Sequence, residues 1–143
     1  MGRLLAIDYG RKRCGIAVSD PLQLIANGLD TVQSYNLIPY LKEYFAREAV
    51  DQVILGYPRQ LNNTPSESVH YLKEFIKQFE KAFPGREYVF MDERFTSKLA
   101  MQSMIEGGLK KKQRQNKALI DKVSATILLQ SYMEMKNNNS NYR

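Results

Sequence analysis

The sequence predicts an α/β domain with a five-stranded mixed sheet, three antiparallel strands followed by parallel ones, and helices on both of its faces. Two observations predict this fold class. Three strand-like segments open the chain, separated by intervals too short for a helical crossover. Beyond them, stretches with helical apolar spacing alternate with short apolar runs, which is typical of parallel strands joined through helices.

Short apolar runs mark most of the predicted strands. The first two, Arg3–Asp8 and Arg13–Ser19, flank a turn that contains a glycine and should form a hairpin. A weaker third strand is predicted near Asn27–Gln33, and two further strands at Gln52–Gly56 and Glu87–Met91. In such sheets functional sites form beyond the carboxyl ends of the parallel strands.

Helices are predicted between and after the later strands. Asn36–Ala49 has helical apolar spacing, and Thr64–Glu67 is a capping box ahead of the apolar stripe Val69–Phe83. Thr96–Glu106 begins with an N-cap residue and ends before two glycines, and Lys117–Met135 carries a broad apolar stripe.

Length and composition fit one domain without a disulfide framework. The chain has 143 residues, and we expect a single domain over 1–136 with a flexible polar tail over 137–143. One cysteine and one histidine exclude multi-thiolate zinc sites and mechanisms that need two histidines. No apolar run reaches membrane-spanning length and no cleavable signal opens the chain, so we expect a cytoplasmic protein.

The positive charge is concentrated near the end of the chain. The net charge is +6, and residues 107–143 hold eight basic but only two acidic side chains, which accounts for the entire excess. A basic patch is typical of a protein that binds nucleic acid, although a solvated loop has the same composition. The densest stretch contains the candidate substrate-binding residues Lys110, Lys111, Lys112 and Arg114.

Acidic residues follow or begin elements that should meet at one edge of the sheet. Asp8 ends the first strand, Asp92 and Glu93 end the last strand, and Asp121 lies near the start of the final helix. Two carboxylates about 4 Å apart repel by roughly 4 kcal/mol at an effective dielectric constant of 20, and a cation removes this penalty. Oxygen ligands suit Mg²⁺ or Mn²⁺, as one ion or two.

Each of these acids also has a purely structural explanation. Asp8 can cap a turn, and Asp121 can interact favourably with the dipole of its helix. Asp92 and Glu93 are neighbours on a strand and point to opposite faces, so only one can join a shared site, and strand geometry leaves open which one does.

Several neighbouring residues are candidates for contacts to phosphate groups. Gly10 would let the backbone approach a phosphate, and Arg11 and Lys12 follow it in the same turn. Further candidates are Arg94, whose guanidinium can bind a phosphate through two hydrogen bonds, and the helix-start residues Thr96 and Ser97. Each candidate also has a structural explanation. Gly10 can serve a plain hairpin turn, Arg94 can form an ion pair, and Thr96 can cap its helix.

Four motifs resemble the YqgF-type nucleases, a family assigned to pre-16S rRNA processing and earlier to Holliday junction resolution. The motifs are Leu5–Asp20, Gly56-Tyr57-Pro58, Asp92–Ser97 and Asp121 with Ser124-Ala125, in family order over nearly the whole chain. The resemblance implies a ribonuclease H-like fold and a metal-dependent nuclease with Asp8, Glu93 and Asp121 as catalytic and metal-binding residues. It favours Glu93 over Asp92. The loop Arg59–Asn63 departs from the family because it lacks a glycine found in many relatives.

The leading hypothesis is therefore a metal-dependent nuclease for structured nucleic acid, with processing of the 5′ end of pre-16S rRNA in ribosome biogenesis as the preferred role. Holliday junction resolution on branched DNA is the alternative with the same chemistry, and it usually requires a dimer. Another alternative is a nucleic-acid-binding module without activity, which would still bind nucleic acid in EDTA. A further one is a nucleotide-binding ATPase module, but such proteins need two lobes to enclose the nucleotide. The sequence leaves the oligomeric state open between a monomer and a weak dimer.

Overall fold

The computed structural model describes residues 2–57, 68–92 and 117–141. These ranges contain five strands, three α-helices and one short 3₁₀-helix. In chain order they are β1 (Arg3–Tyr9), β2 (Arg13–Ser19), β3 (Ala26–Gln33), the 3₁₀-helix Ser34–Asn36, α1 (Leu37–Arg47), β4 (Val50–Tyr57), α2 (Ser68–Ala82), β5 (Tyr88–Asp92) and α3 (Lys117–Asn141).

The strands form one mixed sheet in the order β3-β2-β1-β4-β5. β1 pairs antiparallel with β2, and β2 pairs antiparallel with β3. β4 and β5 then extend the sheet from β1 in parallel. The predicted five-stranded mixed sheet is confirmed, including its weak third strand. Parallel pairing brings the carboxyl ends of β1, β4 and β5 to one edge, which we call the carboxyl edge.

Helices cover both faces of the sheet, as predicted. The β1 residues Leu5 and Ile7 belong to a core cluster that also contains residues of α1 and α2. Leu4 and Ala6 point the other way, into a second cluster with the buried face of α3. Alternate residues of β1 therefore serve two cores. The buried α3 residues of the second cluster are Ala125, Leu128, Leu129, Tyr132 and Met133.

Several elements differ from their predicted bounds by one or two residues, and α3 differs by more. α3 runs to Asn141 rather than Met135, so the segment predicted as a flexible polar tail is helical as far as that residue. The physical reason is that no proline or glycine interrupts the chain between these positions. β4 begins at Val50, ahead of the predicted start at Gln52.

Two predicted features, the capping box Thr64–Glu67 and the helix Thr96–Glu106, lie outside the described residues. Among the helices that the structure does describe, none combines the length and apolar character needed to cross a membrane.

Candidate active site

Asp8 lies near the carboxyl end of β1 and faces α3. The preceding residue, Ile7, points into the core formed with α1 and α2, whereas Ala6 points into the core formed with α3. Because side chains alternate between the two faces of a strand, Asp8 lies on the same face as Ala6. Asp8 is half-buried and pairs across the β1–β2 hairpin with Gly15. Because directly opposed residues in an antiparallel pair share a face, Asp8 stands on the side where Gly15 carries no side chain.

The missing side chain of Gly15 allows α3 to approach the sheet. A Cβ atom at Gly15 would collide with the backbone carbonyl of Asp121, near the start of α3. Thr31 on β3 supports the same end of the helix, because its hydroxyl donates a hydrogen bond to the carbonyl oxygen of Ala118. The helix start is thus held against the cross-strand partner of Asp8. Asp8 and Asp121, which are distant in sequence, are brought to the same face at the carboxyl edge.

The Asp121 carboxylate has a cationic partner. The Arg13 Nε atom donates a hydrogen bond to Asp121 Oδ2 at 2.8 Å, and both side chains are partly exposed. Arg13 lies two residues before Gly15 on β2 and so points to the same face of the sheet. The sequence analysis did not identify this pair. Its one sequence signal is that Arg13 and Gly15 occupy alternate positions of one strand.

Cys14 lies between Arg13 and Gly15 in sequence, but its side chain points to the other face of the sheet, into the core formed with α1 and α2. Its thiol is buried, and burial raises its pKa to about 11. Hydrogen bonds with Ser34 and the Gly10 carbonyl act against this rise, while the charges of Asp8 and Asp121 add to it. Both carboxylates therefore lie within electrostatic reach of one thiol. A buried, protonated thiol is a structural group and not a nucleophile.

The turn between β1 and β2 borders the carboxyl edge. A Cβ atom at Gly10 would lie 2.5 Å from the carbonyl oxygen of Arg13, so the tight turn requires a glycine. Arg11 and Lys12 are exposed, and the Arg11 guanidinium lies over the Tyr71 ring at 5.2 Å. The turn therefore presents two cations beside the half-buried Asp8.

The remaining predicted site residues lie outside the described residues. They are Glu93, Arg94, Thr96, Ser97, Lys110, Lys111, Lys112 and Arg114. Asp92 is the last residue of β5, and its backbone pairs in register with Tyr57 of β4. Within the described ranges no group of three His, Cys, Asp or Glu side chains is arranged to hold a metal ion.

Known proteins resemble this chain along nearly its full length. The family profile described as "RuvX: Holliday junction resolvase" matches residues 2–135. A protein of Flavobacterium johnsoniae, provisionally named pre-16S rRNA nuclease, is 53% identical over 136 residues, which span 95% of this chain and 99% of the relative. A protein of Phocaeicola vulgatus with the same provisional name is 54% identical, over 95% of this chain and 98% of the relative.

Solved structures of low sequence identity have the same fold. Thermus thermophilus RuvC in complex with a Holliday junction substrate superposes with a TM-score of 0.58 at 16% identity, covering 95% of this chain and 97% of the other. Fowlpox virus resolvase in complex with Holliday junction DNA gives 0.54 at 17% identity, covering 93% and 97%. These similarities confirm the predicted ribonuclease H-like fold.

Proposed function

The chain belongs to the RuvX family, and from this premise we propose that it is a divalent-metal-dependent nuclease with Asp8, Glu93 and Asp121 as its catalytic carboxylates. The observation that carries the proposal is the approach of α3 to Gly15, which brings Asp121 to the face occupied by Asp8. A divalent cation between the two half-buried carboxylates would offset their mutual repulsion, in addition to the positive charge that Arg13 supplies to Asp121.

Strand alternation supports Glu93 rather than Asp92 as the third carboxylate. Val89 and Met91 pack against the α3 core, on the face that Asp8 occupies. Residue 93 follows Met91 by two positions, so it has the same parity along the chain. The residue after Met91, Asp92, has the opposite parity.

The donor chemistry of this edge fits Mg²⁺ or Mn²⁺. Mg²⁺ is typically bound through one or two carboxylates, with water and substrate phosphate oxygens completing its coordination, and Asp8 and Asp121 supply such hard oxygen ligands. When bound, one or two such ions supply Lewis-acid activation of the attacking water and of the phosphodiester. Arg13 orients Asp121 by donating a hydrogen bond to its Oδ2 atom, and Oδ1 is the oxygen that would meet the cation.

The proposed substrate-binding residues belong to two groups, one in the β1–β2 turn and one outside the described residues. Gly10, Arg11 and Lys12 belong to the turn that borders the carboxyl edge. Cations there attract the phosphate backbone of any nucleic acid. The other proposed contacts to the substrate come from Arg94, Thr96, Ser97, Lys110, Lys111, Lys112 and Arg114.

We propose precursor rRNA as the substrate, with cleavage at the 5′ end of pre-16S rRNA in ribosome biogenesis and hence a cytoplasmic location. The relatives with this provisional name are 53–54% identical over almost the whole chain, whereas the Holliday junction enzymes share only the fold at 16–17% identity. The family description favours the second candidate function, resolution of Holliday junctions. That function normally requires a dimer, whereas the first is compatible with a monomer or a weak dimer.

Cleavage assays on matched substrates test the proposal. The protein is incubated with Mg²⁺ or Mn²⁺ and either an RNA spanning the 5′ end of 16S rRNA or a four-way DNA junction. We expect metal-dependent cleavage of the RNA, its loss in Asp8→Asn and Asp121→Asn, and its retention in Asp92→Asn. Equal cleavage by the wild-type and Asp8→Asn proteins would refute the nuclease assignment, and cleavage of the junction alone would favour the second function.

A further inference from the structure

A concave basic surface lies beside the candidate active site and contains an exposed aromatic ring. Its cavity has a volume of about 450 Å³ and is lined by Arg11, Lys12, Arg13, Gln33 and Tyr35. Three of these five residues are cationic. We call this surface the Tyr35 pocket.

Among the described residues, Tyr35 packs too little to explain its aromatic ring. The residue is 83% exposed, the highest value among the exposed large hydrophobic residues in the described part of the chain. Burial of a tyrosine ring on binding is strongly favourable, and its two side-chain torsions limit the entropy cost. A ring exposed in this way next to cations is suited to stack on a planar ligand that carries negative charge.

Two hydrogen bonds from Ser34 connect the segment that carries Tyr35 to the β1–β2 turn. The Ser34 backbone N–H donates to the carbonyl oxygen of Lys12 at 2.9 Å, and the Ser34 hydroxyl donates to the carbonyl oxygen of Gly10 at 2.6 Å. Ser34 directly precedes Tyr35, so the backbone that carries the ring is held against the backbone of the cationic turn. Such preorganisation lowers the entropic cost of binding a ligand between them.

Arg13 connects the Tyr35 pocket to the candidate active site. It lines the pocket and also donates to the Asp121 carboxylate. Because Arg13 borders both the pocket and the Asp121 carboxylate, one nucleic acid strand can contact both.

We infer that the Tyr35 pocket binds an unpaired nucleotide next to the cleaved phosphodiester, with its base stacked on Tyr35 and its phosphates beside Arg11 and Lys12. Aromatic stacking and a cationic groove are the two devices by which proteins bind single-stranded nucleic acids. The inference rests on the proposed function, because it takes a nucleic acid that is cleaved beside Asp8 and Asp121 as the substrate. It adds a preference for substrates with a single-stranded segment adjoining the cut.

Equilibrium binding of the full-length protein in EDTA tests the pocket independently of catalysis. A short fluorescently labelled single-stranded RNA serves as the probe, with a duplex of the same length for comparison. We expect Tyr35→Ala to weaken binding of the single strand about tenfold, the order expected for one stacked base, and Tyr35→Phe to retain it. Duplex affinity should change much less.

The matched control is Leu24→Ala, because Leu24 is 71% exposed in the turn between β2 and β3, at the opposite edge of the sheet. It should leave RNA affinity unchanged. Heparin provides a probe without bases, and equal losses for heparin and RNA in Tyr35→Ala would overturn the stacking assignment. So would wild-type RNA affinity in Tyr35→Ala. If this surface instead binds a protein partner, RNA affinity would not depend on Tyr35, and Tyr35→Ala would bind RNA as tightly as the wild-type protein.

A fluorescence experiment measures the stacking itself. The chain contains no tryptophan, so Tyr35→Trp introduces a single reporter into the pocket. We expect its emission to be quenched by single-stranded RNA, while Leu24→Trp is not quenched. No quenching at saturating RNA would contradict the inference. Failure of metal-dependent cleavage with normal quenching would instead refute only the proposed nuclease activity.

Discussion

Arg13 on β2 and Asp121 on α3 form an ion pair across 108 positions of the chain, with Nε and Oδ2 separated by 2.8 Å. The two side chains remain 36% and 24% exposed. The pair fixes a proposed metal ligand relative to the sheet while leaving it accessible from solvent. A cation that enters this edge therefore meets a carboxylate whose orientation is already set.

The Arg13–Asp121 pair should contribute modestly to stability. In a double-mutant cycle with Arg13→Gln and Asp121→Asn, we expect a coupling free energy of about 0.2–1 kcal/mol, because solvent screens a half-exposed pair. Urea unfolding in EDTA measures it, and the coupling should decrease in about 1 M salt. The control is the Arg3–Glu48 pair at the opposite edge, with an N–O distance of 3.3 Å. A coupling at Arg13–Asp121 that salt leaves unchanged would contradict this account.

Gly15→Ala should move α3 away from the sheet. The added Cβ atom would meet the backbone of Asp121, which cannot rotate away, so we expect a loss of about 1–3 kcal/mol in unfolding free energy. Nuclease activity should fall further, because Asp121 is displaced. In the control Gly28→Ala, the nearest atom is the Lys122 Cγ, 2.8 Å away on a side chain that can move. Equal stability of the Gly15→Ala and Gly28→Ala proteins would show that the close approach is unimportant.

Cys14 should make stability fall at high pH. Its pKa rises from 9.0 to about 11 on folding, mainly because the thiol becomes buried. Below about pH 9 both states hold the neutral thiol; above it the unfolded state loses the proton first, so stability decreases as the pH rises to about 11. The expected loss is on the order of 1–3 kcal/mol.

Comparison with Cys14→Ala isolates this contribution from those of the tyrosines. The difference in unfolding free energy between the two proteins should be constant below pH 9 and change between pH 9 and pH 11. Thiol alkylation of the native wild-type protein should remain slow across the neutral range. Rapid alkylation of the folded protein near pH 8, the value around which free thiols begin to ionise, would contradict the burial of Cys14.

Lys110, Lys111 and Lys112 should contribute to nucleic acid binding through charge. Replacing all three with alanine should weaken substrate binding and reduce the slope of log affinity against log salt by roughly 0.7–0.9 for each phosphate that the variant no longer neutralises. Binding measured over a series of salt concentrations gives the slope. The matched control replaces Lys73, Lys77 and Lys81, three exposed lysines of α2. If the first variant shows the wild-type slope, these lysines serve solubility only.

Much of the fold could be predicted because the local patterns agree with the global topology. Short apolar runs mark the strands other than β3, whose sequence is largely polar. Along β1, alternate residues point into two cores, as a sheet covered on both faces requires. The end of α3 was predicted less well. Its last residues are polar and carry no apolar periodicity, so nothing in the pattern distinguishes a helical end from a tail.

The candidate site was predictable only in part. The placement of Asp8 follows from its position at the end of β1, and the position of Asp121 from the start of α3. The Arg13–Asp121 pair depends on how closely α3 approaches β2, which is set by the absence of a Cβ atom at Gly15. Such a tertiary distance has no local signature in the sequence. The roles of Glu93 and Arg94 remain predictions, since both lie outside the described residues.

The central claim is that carboxylates from distant segments form one site for a hard divalent cation. Mn²⁺ binding, followed by electron paramagnetic resonance on the full-length protein without substrate, tests it most directly. We predict that Asp8→Asn, Glu93→Gln and Asp121→Asn each weaken Mn²⁺ binding at least about tenfold, while the neighbouring Asp92→Asn leaves it unchanged. Mn²⁺ affinity at the wild-type level in both Asp8→Asn and Asp121→Asn would contradict the claim.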